Sequence, residues 1–360
     1  MANLYKNSGP HACLRAFFLC LTIALGLLAG CVAAPTKTDR TAELANLIWP
    51  LPPEEPRVRF VAEYRGESDF KRDDLKASLF GDEGGGVKLL KPHSVTSSED
   101  GETIYVTDPQ LQAIVVFDLK NKRAGLLQTD AHGGLRSPIE IHIDKRGRLF
   151  VTDSARNEVL VYSPEGKTLM ALGKNEDIGR PTGLALDEAR NRVYVADTVK
   201  HRIVVYDLDG KFVTEFGRRG SEPGQYNYPV HLAVDKEGHL LVSDTGNFRI
   251  QIIDGLGRFV RTFGQVGDGY GNFSRPKGIA LDSDGNIYVA DAAFNNFQIF
   301  DPEGRLLLFV GSGGDLPGMF LLPTGMHIDA QDRVYVADSI NARVQVFQYL
   351  KGKEGSKADK

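Results

Sequence analysis

The chain has 360 residues, 43 Lys and Arg against 47 Asp and Glu, a net charge of −4 and 39 glycines. These values describe a turn-rich globular protein with enough apolar residues for a large core, and a repeat array can remain one domain at this length. The mild acidity excludes an electrostatic case for nucleic acid, which calls for a basic face.

Lys6 and Arg15 give the N-terminus a positive start, and no acidic residue precedes Asp39. Ala16–Leu28 is an almost unbroken apolar run, the length of a signal h-region and short for a membrane span. It ends in Leu28-Ala29-Gly30-Cys31, which resembles a bacterial lipobox. The resemblance implies a signal peptide over residues 1–30, cleavage before Cys31, and acylation of the Cys31 thiol and new amino group. Cleavage would remove Cys13 and Cys20 and take the net charge from −4 to −6. No cysteine then remains for a disulfide or a thiolate metal site. Several acyl chains at ~0.8 kcal/mol per buried CH₂ would hold the protein firmly on a membrane.

Residues 31–56 are expected to be the lipidated cysteine and a tether. Their composition shifts to Ala, Thr, Pro and Glu, with "WPLPPEEP" at 49–56. Closely spaced prolines favour extended geometry, and about 25 residues reach up to ~80 Å. Trp49, the one tryptophan, either packs back on the domain or sits at the lipid surface. Residues 351–360 are expected to be a disordered tail.

Residues 57–350 carry one unit six times. Its clearest copy, "PKGIALDSDGNIYVADAAFNNFQIFD" (276–301), holds three short strand-like runs separated by turns. The opening prolines are Pro92, Pro138, Pro181, Pro229, Pro276 and Pro323, at steps of 46, 43, 48, 47 and 47. The aspartates closing the second run are Asp108, Asp153, Asp197, Asp244, Asp291 and Asp338. Such a period with several strands per unit points to an all-β, six-bladed β-propeller with four-stranded blades. The fourth strand follows a second hairpin, as in "DLDGKFVTEFG" (207–217). The sixth repeat stops at Val344–Tyr349 without one, and "RVRFVAEY" (57–64) is the spare strand expected to complete blade six and close the ring.

The segments "PKGIALD" (276–282), "LVSDTGNFRIQIID" (241–254) and "VYVADSINARVQVF" (334–347) resemble NHL repeats. The resemblance spans 57–350, is degenerate in the first two repeats, and implies a six-bladed propeller. It implies no particular function, since the fold hosts binders and enzymes alike.

The recurrent Asp-x-x-Asn-x-Arg set (Asp244/Asn247/Arg249, Asp338/Asn341/Arg343) reads as scaffold, because it recurs from blade to blade. In blade five, Phe297 reads as the replacement for the arginine. The "FGxxG…P" loops enter strands rather than helices, so they read as connections rather than phosphate cradles.

More informative are the histidines of the first strands, nearest the axis: His93, His142, His231 and His327, joined by Glu140 and Lys277. Imidazoles converging with a carboxylate are candidate ligands for a divalent metal, so His93, Glu140, His142, His231 and His327 form the candidate set. In the amidating lyases of this architecture, zinc is held by histidines directly after the opening proline in three blades. Only His93 has that position here. The step from Tyr64 to Pro92 is 28 residues, twice the usual connection, and includes a candidate helix 68–79 capped by Ser68. This 65–91 insertion either shapes a binding surface or is a tolerated loop.

The expected protein is therefore a lipid-anchored propeller of the bacterial cell envelope. It would be a monomer binding or scaffolding an envelope or periplasmic protein, with no nucleic acid and no cofactor. The alternative is a metal-dependent lyase or lactonase-like hydrolase working at the channel mouth. Val32 lacks the acidic character of an inner-membrane retention signal, which points to the outer membrane.

Overall fold

The computed structural model describes residues 47–70, 86–130, 134–174 and 177–351. The chain divides into Met1–Leu44 and Ala45–Lys360. The first unit, with the expected signal peptide and Cys31, lies outside the described residues, as do 71–85 and the tail from 352. Of the helix expected over 68–79, only the first turn is described. It is a 3-10 turn, Glu67–Phe70.

The second unit is a six-bladed propeller of antiparallel sheets. From the axis outward, blade one is Ser94–Ser97, Thr103–Asp108, Ala113–Asp118 and Arg123–Leu126. Blade two is Pro138–Ile143, Leu149–Asp153, Glu158–Tyr162 and Thr168–Leu172. Blade three is Pro181–Asp187, Arg192–Asp197, Arg202–Tyr206 and Phe212–Phe216. Blade four is Pro229–Val234, Leu240–Asp244, Arg249–Ile253 and Phe259–Phe263. Blade five is Pro276–Leu281, Ile287–Asp291, Asn296–Phe300 and Leu306–Val310. Blade six takes Pro323–Ile328, Arg333–Asp338 and Arg343–Tyr349 from the C-terminus, with Val58–Tyr64 as its fourth strand. The first strands contact one another in sequence order, and blade six meets blade one.

The middle strands are covered on both sides, which is why they read as apolar runs. Along Arg192–Asp197, Val193 and Val195 pack towards blade two, while Tyr194 and Ala196 pack towards blade four. The hairpins follow from local chemistry. Asp282 accepts from the backbone N–H of Asp284 at 3.0 Å and Asn286 at 2.9 Å, while Gly285 takes φ +84°.

Ring closure is as expected, and it extends further. Val58–Tyr64 pairs along Arg343–Tyr349, and Ile48–Trp49 pairs in turn with Val58 and Arg59, giving blade six a fifth strand. The segment expected as tether over 31–56 therefore enters the sheet at Ile48. Trp49 packs on the domain, its ring centroid 5.8 Å from that of Phe347. The register also corrects the reading of blade five. Asn296, not Phe297, stands opposite Asp291, where Arg249 stands opposite Asp244.

Candidate functional site: the axial channel

Each first strand runs from the face bearing the opening prolines, here the proline face, to the face of the first hairpins. The second-to-third-strand turns and the inter-blade connections share the proline face. Between the proline and the third residue after it, the pairing skips register in blades two to six. Such a bulge re-aims the side chains it carries. The third residues, including Val95, Ile141, Leu184, Leu232 and Ile279, are buried between blades. The second and fourth residues alternate with them and form two layers around the axis.

The second-position layer reads Ser94, Glu140, Gly183, His231, Gly278 and Gly325 around the ring. The glycines allow close approach. A Cβ on Gly183 would lie 2.6 Å from the Val230 carbonyl oxygen and 2.8 Å from His231 Cα. Over this gap Glu140 of blade two reaches His231 of blade four, placing Oε2 2.5 Å from His231 Nδ1. Oε2 is buried and has no other hydrogen-bond partner. Ser94 Oγ donates to Glu140 Oε1, and His142 Nε2 lies 3.8 Å from the same oxygen. The His93 ring stacks on that of His231, with centroids 5.8 Å apart and planes 9° apart.

The fourth-position layer is Thr96, His142, Ala185, Ala233, Ala280 and His327. His327 Nε2 lies 3.1 Å from Ser97 Oγ. A cavity of about 190 Å³ reaches His142 and His327 from the hairpin face.

Burial sets the protonation of this column. It holds His93 down at about 3, helped by the nearby charges of His231 and Lys277. Burial likewise lowers His327 to about 4 and depresses His142. For Glu140, burial pushes the carboxyl up, but His231, His142 and the Ser94 hydroxyl outweigh it, so the carboxylate is favoured. His93, His142 and His327 are thus held as neutral rings near one buried anion.

All five candidate residues thus line one channel, split between two levels. Glu140 and His231 meet directly, His93 stacks above them, and His142 and His327 lie deeper. At 2.5 Å, Glu140 and His231 are nearer than two donors of one tetrahedral ion, which sit about 3.3 Å apart. The spacing suits a shared proton. Among the described residues, the group of three donor residues whose ligand atoms all fall within 4.8 Å of one another is Asp235, Glu237 and His239, on a blade-four hairpin. There His239 Nδ1 lies 2.9 Å from Asp235 Oδ2, as Arg148 pairs with Asp144 and Arg333 with Asp329 on the equivalent hairpins, so it replaces the hairpin arginine. Sequence reading missed Ser94. Its signal was the shared second position after the proline.

The repeated carboxylates are scaffold. Asp338 Oδ2 accepts from Asn341, Arg343 and Gln345, at 2.8, 2.7 and 3.1 Å. Asp291 accepts from the backbone of Ser274 and of Ala293, joining connection to turn.

A family model of NHL repeats matches residues 273–300 and 320–347, and one described as a 6-bladed beta-propeller matches 184–244. No curated protein matches the chain in sequence. Among solved structures, the chain is similar to a catalytically inactive virginiamycin B lyase from Staphylococcus aureus with quinupristin. The identity is 15%, the TM-score is 0.53, and 72% of this chain and 95% of that one are covered. It is also similar to an auxiliary nutrient binding protein from Bacteroides thetaiotaomicron VPI-5482, at 13% identity and TM-score 0.58, covering 73% and 70%. Hydrazine synthase of Kuenenia stuttgartiensis gives 14% and 0.53, covering 76% and 99%. At these identities the likeness is one of fold. The chain is a six-bladed β-propeller, with NHL repeats matched in its last two blades.

Proposed function

We propose that the protein is a lipid-anchored envelope propeller that binds a protein partner on its proline face. The observation that carries this reading is the apolar character of that face. Val199 and Ile340 cap second-to-third-strand turns, and Leu90, Tyr228 and Leu316 lie in the connections, all exposed, Ile340 to 56% and Leu316 to 61%. Large apolar side chains gathered on one face favour association. The anchor rests on the sequence alone: the basic start, the apolar run and Leu28-Ala29-Gly30-Cys31. Outer-membrane placement rests on Val32.

Photo-crosslinkers placed at 199, 316 and 340 should give one discrete adduct, and Val199→Asp with Ile340→Asp should abolish it without lowering the melting temperature. Adducts formed from Leu256, on a third-to-fourth-strand hairpin, but not from these positions would overturn the reading. Palmitate labelling that survives Cys31→Ser would remove the anchor.

A second reading, an enzyme working in the channel, has one observation behind it: the buried Glu140–His231 contact, with Oε2 left without any other hydrogen-bond partner. A buried carboxylate beside an imidazole can move a proton, or take part in a metal-assisted hydrolase or lyase site. A stoichiometric metal lost on His231→Ala would favour this reading over pure scaffolding.

A further inference from the structure

Six hairpin and turn arginines are paired. Arg148, Arg249, Arg258, Arg305, Arg333 and Arg343 each meet an aspartate of their own blade. Three cations at the proline-face mouth of the channel differ. Among the described residues, the side chains of Arg180, Arg275 and Lys277 make no ion pair and no hydrogen bond.

Their positions converge. Arg180 directly precedes the opening proline of blade three and Arg275 that of blade five, while Lys277 is the first residue after the latter. Lys277 is half-buried on an innermost strand, and its ammonium is depressed by that burial and then by the charges of Arg275 and Arg180. It holds in blade five the position directly after the proline that His93 holds in blade one, where the His93 ring reaches across the axis to stack on His231 of blade four. The His93 Nδ1 atom is buried without a hydrogen-bond partner.

The backbone beneath these groups is fixed. Asp197 Oδ1 accepts from the Arg180 N–H at 3.0 Å, Asp291 accepts from the Arg275 N–H at 3.1 Å, and Ser243 Oγ donates to the Lys277 carbonyl at 2.7 Å. Nearby blade aspartates are committed to these duties and do not neutralise the cations. Three like charges at one mouth of an acidic chain disfavour each other, and an entering anion relieves that repulsion.

We propose that this mouth is a carboxylate-binding site, with the Lys277 ammonium as its floor, Arg180 and Arg275 as its rim, and His93 Nδ1 as a further polar contact. Guanidinium groups match the planar carboxylate, and Glu140 one layer deeper disfavours an ion that, like phosphate, gathers a second charge on the same centre, whereas a dicarboxylate carries its second charge away from the mouth. The carboxylate has two sources, a free small acid or the acidic side chain of a peptide. The inference goes beyond the protein-binding reading and does not depend on it.

Calorimetric titration of the purified full chain at low salt, with succinate and separately with a pentaglutamate peptide, tests it. Binding should weaken about tenfold or more in Lys277→Met and in Arg180→Gln/Arg275→Gln, and stay unchanged in Lys211→Met on the hairpin face. Lys277→Arg should retain binding, which separates loss of charge from loss of fold. Succinate bound as tightly as the peptide assigns a free acid; a peptide bound at least about tenfold tighter assigns an acidic segment. Neither ligand binding, equal affinity in Lys277→Met at an unchanged melting temperature, or phosphate binding as tightly as succinate would each overturn the proposal.

Discussion

Arg343 shows what a single side chain does in this scaffold. It is fully buried beside Asp338, donates through Nη1 to Glu63 at 2.7 Å and to the Asp315 carbonyl at 2.9 Å, and through Nη2 to the Leu316 and Met319 carbonyls. It therefore ties the closing strand, the fifth connection and the sixth blade together. Arg343→Met would leave a buried carboxylate and several carbonyls unpaired, and should cost about 3–5 kcal/mol in urea unfolding. The exposed Arg258 equivalent should be near neutral. The histidines give a second residue-scale expectation. His93 and His327 sit at about 3 and about 4 in the fold against an ordinary 6.5, so the unfolded chain binds more protons between those values. Stability should therefore rise with pH from about 4 to about 6.5. Glu140, lowered overall, acts in the same sense at lower pH, whereas Asp282 and Asp338, raised by burial, oppose it. The pH slope of the urea midpoint should be shallower in His327→Gln than in the parent chain, and an unchanged slope would count against its burial as a neutral ring.

At the scale of elements, the fold depends on how the last blade is finished. Phe347, fully buried, sits among Trp49 and Phe60 of the N-terminal strands, Phe297 of blade five and Phe320 of the fifth connection, at centroid distances of 5.5–5.9 Å. Phe347→Ala empties the point where four segments meet and should cost about 3–5 kcal/mol, read as a lowered unfolding midpoint. The first strands were legible in outline, since the prolines, the Asp-Gly-type turns and the closing aspartates all mark boundaries. One detail was not. Ile48–Trp49 lies among prolines that argue against a strand, and only the free edge of Val58–Tyr64 recruits it. At Phe297 the spacing was legible and miscounted: the arginine stands five residues after the closing aspartate in Asp244/Arg249 and Asp338/Arg343, which in blade five is Asn296, and the pairing opposite Asp291 agrees.

For the whole molecule, closure is the central fact. Six sheets with inter-blade cores gain from being a ring, because no blade is left with an uncovered face. Removing residues 45–64 takes away the fourth strand of blade six together with its Phe60 and Trp49 contacts. The truncated chain should lose its single cooperative thermal transition in calorimetry, and a transition unchanged in midpoint and enthalpy would show that closure is dispensable. The sequence by itself determined the number of blades, the strand order and the closing strand, because these are written in local patterns repeated every 43 to 48 residues. It also marked the first-strand histidines as the place where the repeats disagree. Only the tertiary structure decided what those residues do together. Glu140 and His231 lie 91 positions and two blades apart, and they meet because Gly183 lets the inner strands close around the axis. In the same way Arg180, Arg275 and Lys277 are unremarkable along the chain and become a cluster only when the ring brings two strand starts, of blades three and five, to one mouth. Periodicity fixes which residues share a level; distance across an axis is a property of the closed ring alone.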